Sequence, residues 1–135
     1  MTTTMTATGT FKAASWEEGP FAELGEAPRL THARVGNAYT GDIEGEGTAE
    51  SLMYYGEAAT ASYVGYERVV GRLGERSGSF VLSSSGTWEE GTATTTWSVV
   101  PGSGTGELAG LRGEGGYVAR QGEAEITYRL DYRFD

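Results

Sequence analysis

Between Val99 and Tyr117 the chain reads VVPGSGTGELAGLRGEGGY, and seven of those residues are glycine, at positions 102, 104, 106, 110, 113, 115 and 116. Glycine brings no side chain to bury; it lifts the steric limits that a Cβ imposes, which suits tight turns, bulges and close backbone approach. The stretch follows a Thr/Trp/Val run, Thr94 to Val100, and precedes a segment from Glu125 to Phe134 that alternates strictly. In that last segment Ile126, Tyr128, Leu130, Tyr132 and Phe134 share one side and Thr127, Arg129, Asp131, Arg133 and Asp135 the other, as in a half-buried antiparallel strand. A sheet that bends or closes is predicted here. Pro101 cannot donate to a ladder and ends the preceding strand, so Pro101 to Gly106 are predicted to form a mobile, irregular loop at one rim. Leu108 to Gly116 are predicted to carry a bend that closes the wall. On this reading two residues inserted after Ser103 cost little, whereas Gly113→Val is destabilising if the φ of Gly113 is positive.

The rest of the chain carries the same pattern. Strands are predicted at Thr6 to Trp16, Arg29 to Tyr39, from Gly41 through the GDIEGEGTAESLMYYG run, and at Ala58 to Leu73, Arg76 to Trp88 and Ala93 to Val100. In the first, Phe11, Ala13 and Ser15 lie opposite Trp16. Glu17 to Pro28 is predicted as a loop, with a helical turn at Phe21 to Leu24, because Gly19, Pro20, Gly25 and Pro28 interrupt it. Asn37, the only asparagine, is assigned to a turn. About seven or eight strands joined by short turns, with no convincing helix, make residues 1–135 one all-β domain, a sandwich or a barrel. Long strands with glycines inside them favour the coiling that closure needs, so a small antiparallel β-barrel with its first and last strands paired is expected.

Composition narrows the function classes. The net charge of -9, spread along the chain, repels phosphate backbones, so no nucleic acid is expected as partner. There is no cysteine, which removes disulfides and thiolate metal sites and fits a reducing compartment. No window of about 18 apolar residues is present, and MTTTMTATGTF is not a secretory signal, so no membrane and a cytoplasmic location are expected. His32 stands alone, so no metal is predicted. Gly104 to Ala109 match a loose dinucleotide fingerprint, but no strand-to-helix unit surrounds them, and no cofactor is expected.

The candidate chemistry lies in carboxylates and aromatics. Asp42, Glu44, Glu46 and Glu50 share a strand face opposite Ile43, Gly45, Gly47 and Ala49. Two glycines on one side leave room for something bulky, an aromatic of a neighbouring strand or a ligand. Glu44, if turned inward, becomes a general acid or base, because burial raises a carboxyl's pKa. Glu67 and Arg68 point to opposite faces, and an inward Glu67 needs a partner, for which Arg112 is a candidate. Ser79, Ser83, Ser84 and Ser85 offer hydroxyls without a nucleophile elbow. Tyr54, Tyr63, Tyr66, Trp88 and Trp97 are core residues or, in an open-mouthed barrel, the wall of a site for a flat or apolar molecule.

Five segments carry a family likeness: Leu30 to Val35 (LTHARV), Gly41 to Gly47 (GDIEGEG), Gly65 to Val69 (GYERV), Gly78 to Leu82 (GSFVL) and Gly104 to Gly113 (GTGELAGLRG). In order and over nearly the whole chain they resemble a bacterial family known as domain of unknown function 3224. The resemblance implies a small barrel similar to allene oxide cyclase, within the calycin-like and dirigent-like barrels, and carries no established reaction. A histidine expected near the serine run is replaced here by Ser83, Ser84 and Ser85. Barrels similar to allene oxide cyclase bind an apolar or polyene-like substrate and steer a cyclisation largely by shape, without a cofactor. Two readings follow. In the first, the lumen binds a small apolar or amphipathic molecule and acts as a cyclase or isomerase, with Glu44 and Glu67 catalytic and Tyr66, Ser79, Trp88 and Trp97 in contact with the ligand. In the second, the lumen is filled and the protein is a carrier or an assembly module, a homo-oligomer joined through the aromatic face of the last strand.

Overall fold

The computed structural model describes residues 3–22 and 29–135. Eight strands follow one another in chain order: β1 (Met5–Ala22), β2 (Arg29–Gly41), β3 (Ile43–Tyr55), β4 (Ala61–Leu73), β5 (Arg76–Glu89), β6 (Thr92–Val99), β7 (Leu111–Arg120) and β8 (Ile126–Phe134). Every strand pairs antiparallel with its neighbours in the chain, and β1 pairs with β8 from Met5↔Tyr132 to Phe11↔Ile126, so the sheet closes as a barrel. Closure satisfies the backbone groups that an edge strand would leave unpaired. One 3-10 turn, Gly106–Leu108, interrupts the strands between β6 and β7.

The period-2 alternation divides wall from lumen. On β8 the face of Ile126, Tyr128, Leu130, Tyr132 and Phe134 is the inner one, and on β3 the acidic face is outside while Ile43, Gly45, Gly47 and Ala49 turn inward. The aromatics of the last strand therefore belong to the interior and do not offer an assembly face. One end of the lumen is packed solid by Ile43, Leu73, Phe80, Leu108, Leu111 and Leu130, all fully buried. Above this plug lies an aromatic layer of Phe11, Tyr39, Trp97, Tyr117 and Tyr128, with ring centroids 5.0–6.3 Å apart in tilted and edge-on pairs.

Three departures from the sequence expectations have local causes. β1 does not stop at Trp16 but runs to Ala22, with Gly19 and Pro20 paired to His32 and Thr31. A bulge between Ala13 and Ser15 inserts one extra residue, and this reverses the facing, so Trp16 lines the lumen on the same side as Phe11. The helical turn expected at Phe21 to Leu24 runs into residues outside those described, and Phe21 itself is strand. Asn37 is not in a turn: it sits mid-strand opposite Gly47 and is buried.

Gly113 is not in the left-handed region, so the condition placed on it from the sequence does not hold. A Cβ there would still stand 2.7 Å from the Asp131 carbonyl oxygen and 3.1 Å from Tyr132 Cβ. Gly113→Val is accordingly expected to destabilise the barrel by about 1–3 kcal/mol through overpacking, read as a lower midpoint in urea with an unchanged slope.

Candidate functional site in the barrel lumen

At the end away from the plug the side chains facing the lumen become small: Ala13, Ala33, Ala49, Ser51, Ala93 and Ala119. They leave a cavity of about 260 Å³. Its floor is the aromatic layer, through Phe11, Trp97 and Tyr117, and its sides carry Trp16, Trp88, Tyr63 and Met53. Trp16 is more than half exposed and stands at the rim.

Among the described residues one carboxyl reaches this cavity. Glu67, from the middle of β4, is only 4% exposed. Its Oε2 accepts hydrogen bonds from Asn37 Nδ2 at 3.0 Å and from the Tyr39 hydroxyl at 2.8 Å, both from β2 across the intervening β3. Gly47 on β3 makes that reach feasible, for a Cβ at this position would collide with Glu67 Oε2 and stand 2.9 Å from Tyr39 Cε1. The bulky occupant expected beside the β3 glycines is thus a carboxyl and a tyrosine ring. Among the described residues Glu67 Oε1 has no hydrogen-bond partner, although no side-chain oxygen or nitrogen there is both fully shut from solvent and unpartnered. Oε1 is therefore the face of the carboxyl that meets the cavity.

Burial pushes the Glu67 carboxyl above its ordinary range, and the hydrogen bonds from Asn37 and Tyr39, which favour the ionised form, offset part of that. The Tyr39 phenol is raised by its own burial and then by the Glu67 charge, so it stays a neutral donor. On the same strand as Glu67, Tyr63 OH lies 2.7 Å from Thr95 Oγ1 of β6, and burial pushes Tyr117 of β7 up to about 12. These phenols are hydrogen-bonding groups, not bases, near neutral pH.

A raised carboxyl binds its proton more tightly in the folded chain than in the unfolded one. Stability contributed at Glu67 therefore falls as pH rises from the ordinary value of 4.5 through the raised one, and is level above it. Glu67→Gln keeps an amide oxygen to accept from Asn37 and Tyr39 and removes the titration. The variant is expected to gain on the wild type progressively as pH rises through that window, measured as the difference in denaturation midpoint. Parallel profiles would mean that Glu67 does not titrate in it.

The six residues singled out from the sequence divide evenly. Glu67, Trp88 and Trp97 line the cavity. Glu44 lies on the outer wall, half exposed and paired with Arg72, because its strand turns the glycine face inward. Tyr66 is 63% exposed on the outside of β4, one residue out of phase with Glu67. Ser79 also faces outward, buried beneath the β6–β7 connection with its Oγ 2.7 Å from Thr105 Oγ1. Arg112 does not meet Glu67; it pairs with Asp135 on the surface. Tyr63, expected in the core or in the wall of a site, lines the cavity, whereas nothing in the sequence marks Tyr39 or Tyr117 as a site residue and the turn preference of asparagine hides Asn37, although Val35, Asn37 and Tyr39 recur at every second residue.

Fold and site together define a closed eight-stranded antiparallel barrel, plugged at one end and cupped at the other around the Glu67 carboxyl. The chain belongs to the DUF3224 family: the family model described as "Protein of unknown function (DUF3224)" matches residues 7–132. It is similar to a solved structure described as a protein with unknown function from the DUF3224 family of Shewanella oneidensis MR-1. The two are 27% identical with a TM-score of 0.76, over 100% of this chain and 99% of that one. No curated protein matches the chain. Among the described residues no helix is long and apolar enough to cross a membrane.

Proposed function

We propose that the protein binds a small, flat, largely apolar molecule in the open half of its lumen and holds the polar end of that molecule on Glu67. The observation that carries this reading is the Glu67 carboxyl, fixed through one oxygen by Asn37 and Tyr39 with the other toward an aromatic-walled cavity. A carboxyl spent only on structure would direct both oxygens at protein donors. The half-filled lumen favours binding over a solid assembly module, since packing to native density at both ends would leave no such space.

The raised carboxyl favours a second step within the same reading. A group with its pKa moved toward neutrality can take and return one proton, so Glu67 is the residue through which a proton-shifting isomerisation or cyclisation of the ligand would run. The likeness to allene oxide cyclase barrels belongs to this step, and a carrier without catalysis is the reading that remains if turnover is absent. A cytoplasmic setting is part of this proposal, and a chain without cysteine is compatible with such a reducing compartment.

Trp16, Trp88 and Trp97 all line the cavity, so intrinsic fluorescence is the direct test. Titration with a panel of monocyclic and bicyclic aromatics, short polyenes and fatty acids is expected to shift the emission for the compact flat members. Trp88→Ala should weaken those same members. A panel that leaves the spectrum unchanged throughout would remove the lumen-binding reading.

A further inference from the structure

The lumen also carries information about the charge and size of what it binds. Besides tyrosines, Glu67 is the one ionisable side chain on the cavity among the described residues; no arginine, lysine or histidine lines it. An anionic ligand would bring a second negative charge into a desolvated space with no counter-ion, which is costly. A cation relieves the same carboxyl, since an opposite charge within a few ångströms favours its ionised form. The remaining wall suits a cation too. Trp16, Trp88, Trp97, Phe11 and Tyr117 present ring systems, whose faces attract organic ammonium groups. The net charge of -9 makes the surrounding potential favourable to cations.

Size follows from volume. An engineered apolar cavity of about 150 Å³ accepts benzene. By proportion, the roughly 260 Å³ here accommodates a molecule of about ten non-hydrogen atoms, one ring with a short side chain or two fused rings. Drug-sized ligands take cavities of about 300–1,000 Å³, and a long-chain lipid is excluded on both size and charge.

We propose that the ligand of the lumen is a small arylalkyl amine, with its ammonium on Glu67 Oε1 and its ring against the tryptophan wall. This rests on the lumen-binding reading above. The titratable groups that face Glu67 are Tyr39 from β2, Tyr117 from β7 and Tyr63 from its own strand, and burial holds all three phenols neutral. From β3 and β5 the cross-strand neighbours are Ala49 and Leu82, which do not titrate. The pH dependence of amine binding is therefore that of Glu67 alone: affinity is lost as pH falls through its pKa and the carboxyl is neutralised.

Phenethylamine, n-propylbenzene and phenylacetate are closely matched in size and differ in charge, so their affinities, measured by tryptophan fluorescence and calorimetry at about pH 8, decide the matter. Phenethylamine is expected to bind at least about tenfold tighter than propylbenzene, with phenylacetate weakest, and the gap should narrow as the pH is lowered and the Glu67 carboxyl takes up its proton. Glu67→Gln should bring the amine to within about twofold of propylbenzene, both measured on that variant. Should that variant not fold, the ranking and its pH dependence in the wild type still decide. Propylbenzene binding as tightly as the amine at every pH would overturn the amine proposal and leave lumen binding standing. Binding of none of the three would remove both.

Discussion

Replacing Trp97 with alanine is expected to cost about 3–5 kcal/mol, the range for deleting a large aromatic from a packed core, and to lower Tm by roughly 10–20 °C. The indole is 1% exposed and has more ring partners than any other described aromatic: Phe11, Tyr39, Tyr117 and Tyr128 all lie within 6.3 Å of it, centroid to centroid. Four strands, β1, β2, β7 and β8, therefore converge on one side chain of β6. The same residue is part of the cavity floor, so the loss has a functional signature as well. Trp97→Phe retains a ring and should recover most of the stability while deepening the cup, which would admit a larger ligand than the wild type takes. Equal melting of Trp97→Ala and wild type would mean that the aromatic layer is not the keystone of the barrel.

The parity of a strand decides whether a residue meets ligand or solvent, and parity was legible only where hydrophobicity alternated. On β8 the alternation is unbroken and separates the two faces in the sequence, but the aromatic face is equally suited to a lumen or to a partner subunit, and only closure of the barrel turns it inward. On β4 it is blurred: Val64, Tyr66 and Val70 are exposed on the outer wall while Gly65, Glu67 and Gly71 face in. A reader weighing apolarity alone places Tyr66 inside and has no means to place Glu67. The bulge in β1 is a second source of error, because one inserted residue reverses everything after it and the sequence around Ala14 carries no mark of it. Asn37 shows the opposite case. Its place in the Val35, Asn37, Tyr39 series was readable, and the turn preference of asparagine outweighed it until the Glu67 carboxyl, 3.0 Å away, supplied the partner a buried amide requires. Closure, strand number and the pairing of first with last strand were legible from length, turn spacing and glycine placement. The depth of the plug and the volume of the cup were not, since they depend on which side chains meet across the lumen.

Inserting two residues after Ser103 is expected to be as damaging as Trp97→Ala, on the order of 3–5 kcal/mol, which reverses the expectation of a mobile loop. β6 pairs with β5 only from Leu82 to Glu89, so the edge of β5 from Ser77 to Val81 has no strand beside it there. The connection after Val99 takes that place. Val100 N donates to Val81 O at 2.9 Å, Val81 N to Ser103 Oγ at 3.0 Å, Thr105 N to Ser79 O at 2.9 Å and Ser79 N to Thr105 Oγ1 at 3.1 Å. Beyond these, Ser77 N donates to Glu107 Oε1 at 3.0 Å, and the 3-10 turn drives Leu108 into the plug, where it is fully buried. The connection fits closely, since a Cβ on Gly104 or on Gly78 would collide with backbone carbonyl oxygens of Leu108 and Thr105. Two extra residues after Ser103 break the register between the Ser103 and Thr105 contacts, so they either strip β5 of its partners or pull Leu108 from the core; burying that leucine is itself worth about 1.5–3 kcal/mol. The control is the same insertion after Gly122, in the β7–β8 turn, where a Cβ would meet nothing within 4 Å and a longer loop should cost under about 1 kcal/mol. Urea denaturation of the two variants separates the alternatives. Equal midpoints would mean that the β6–β7 connection is an ordinary loop and that β5 holds its edge without it.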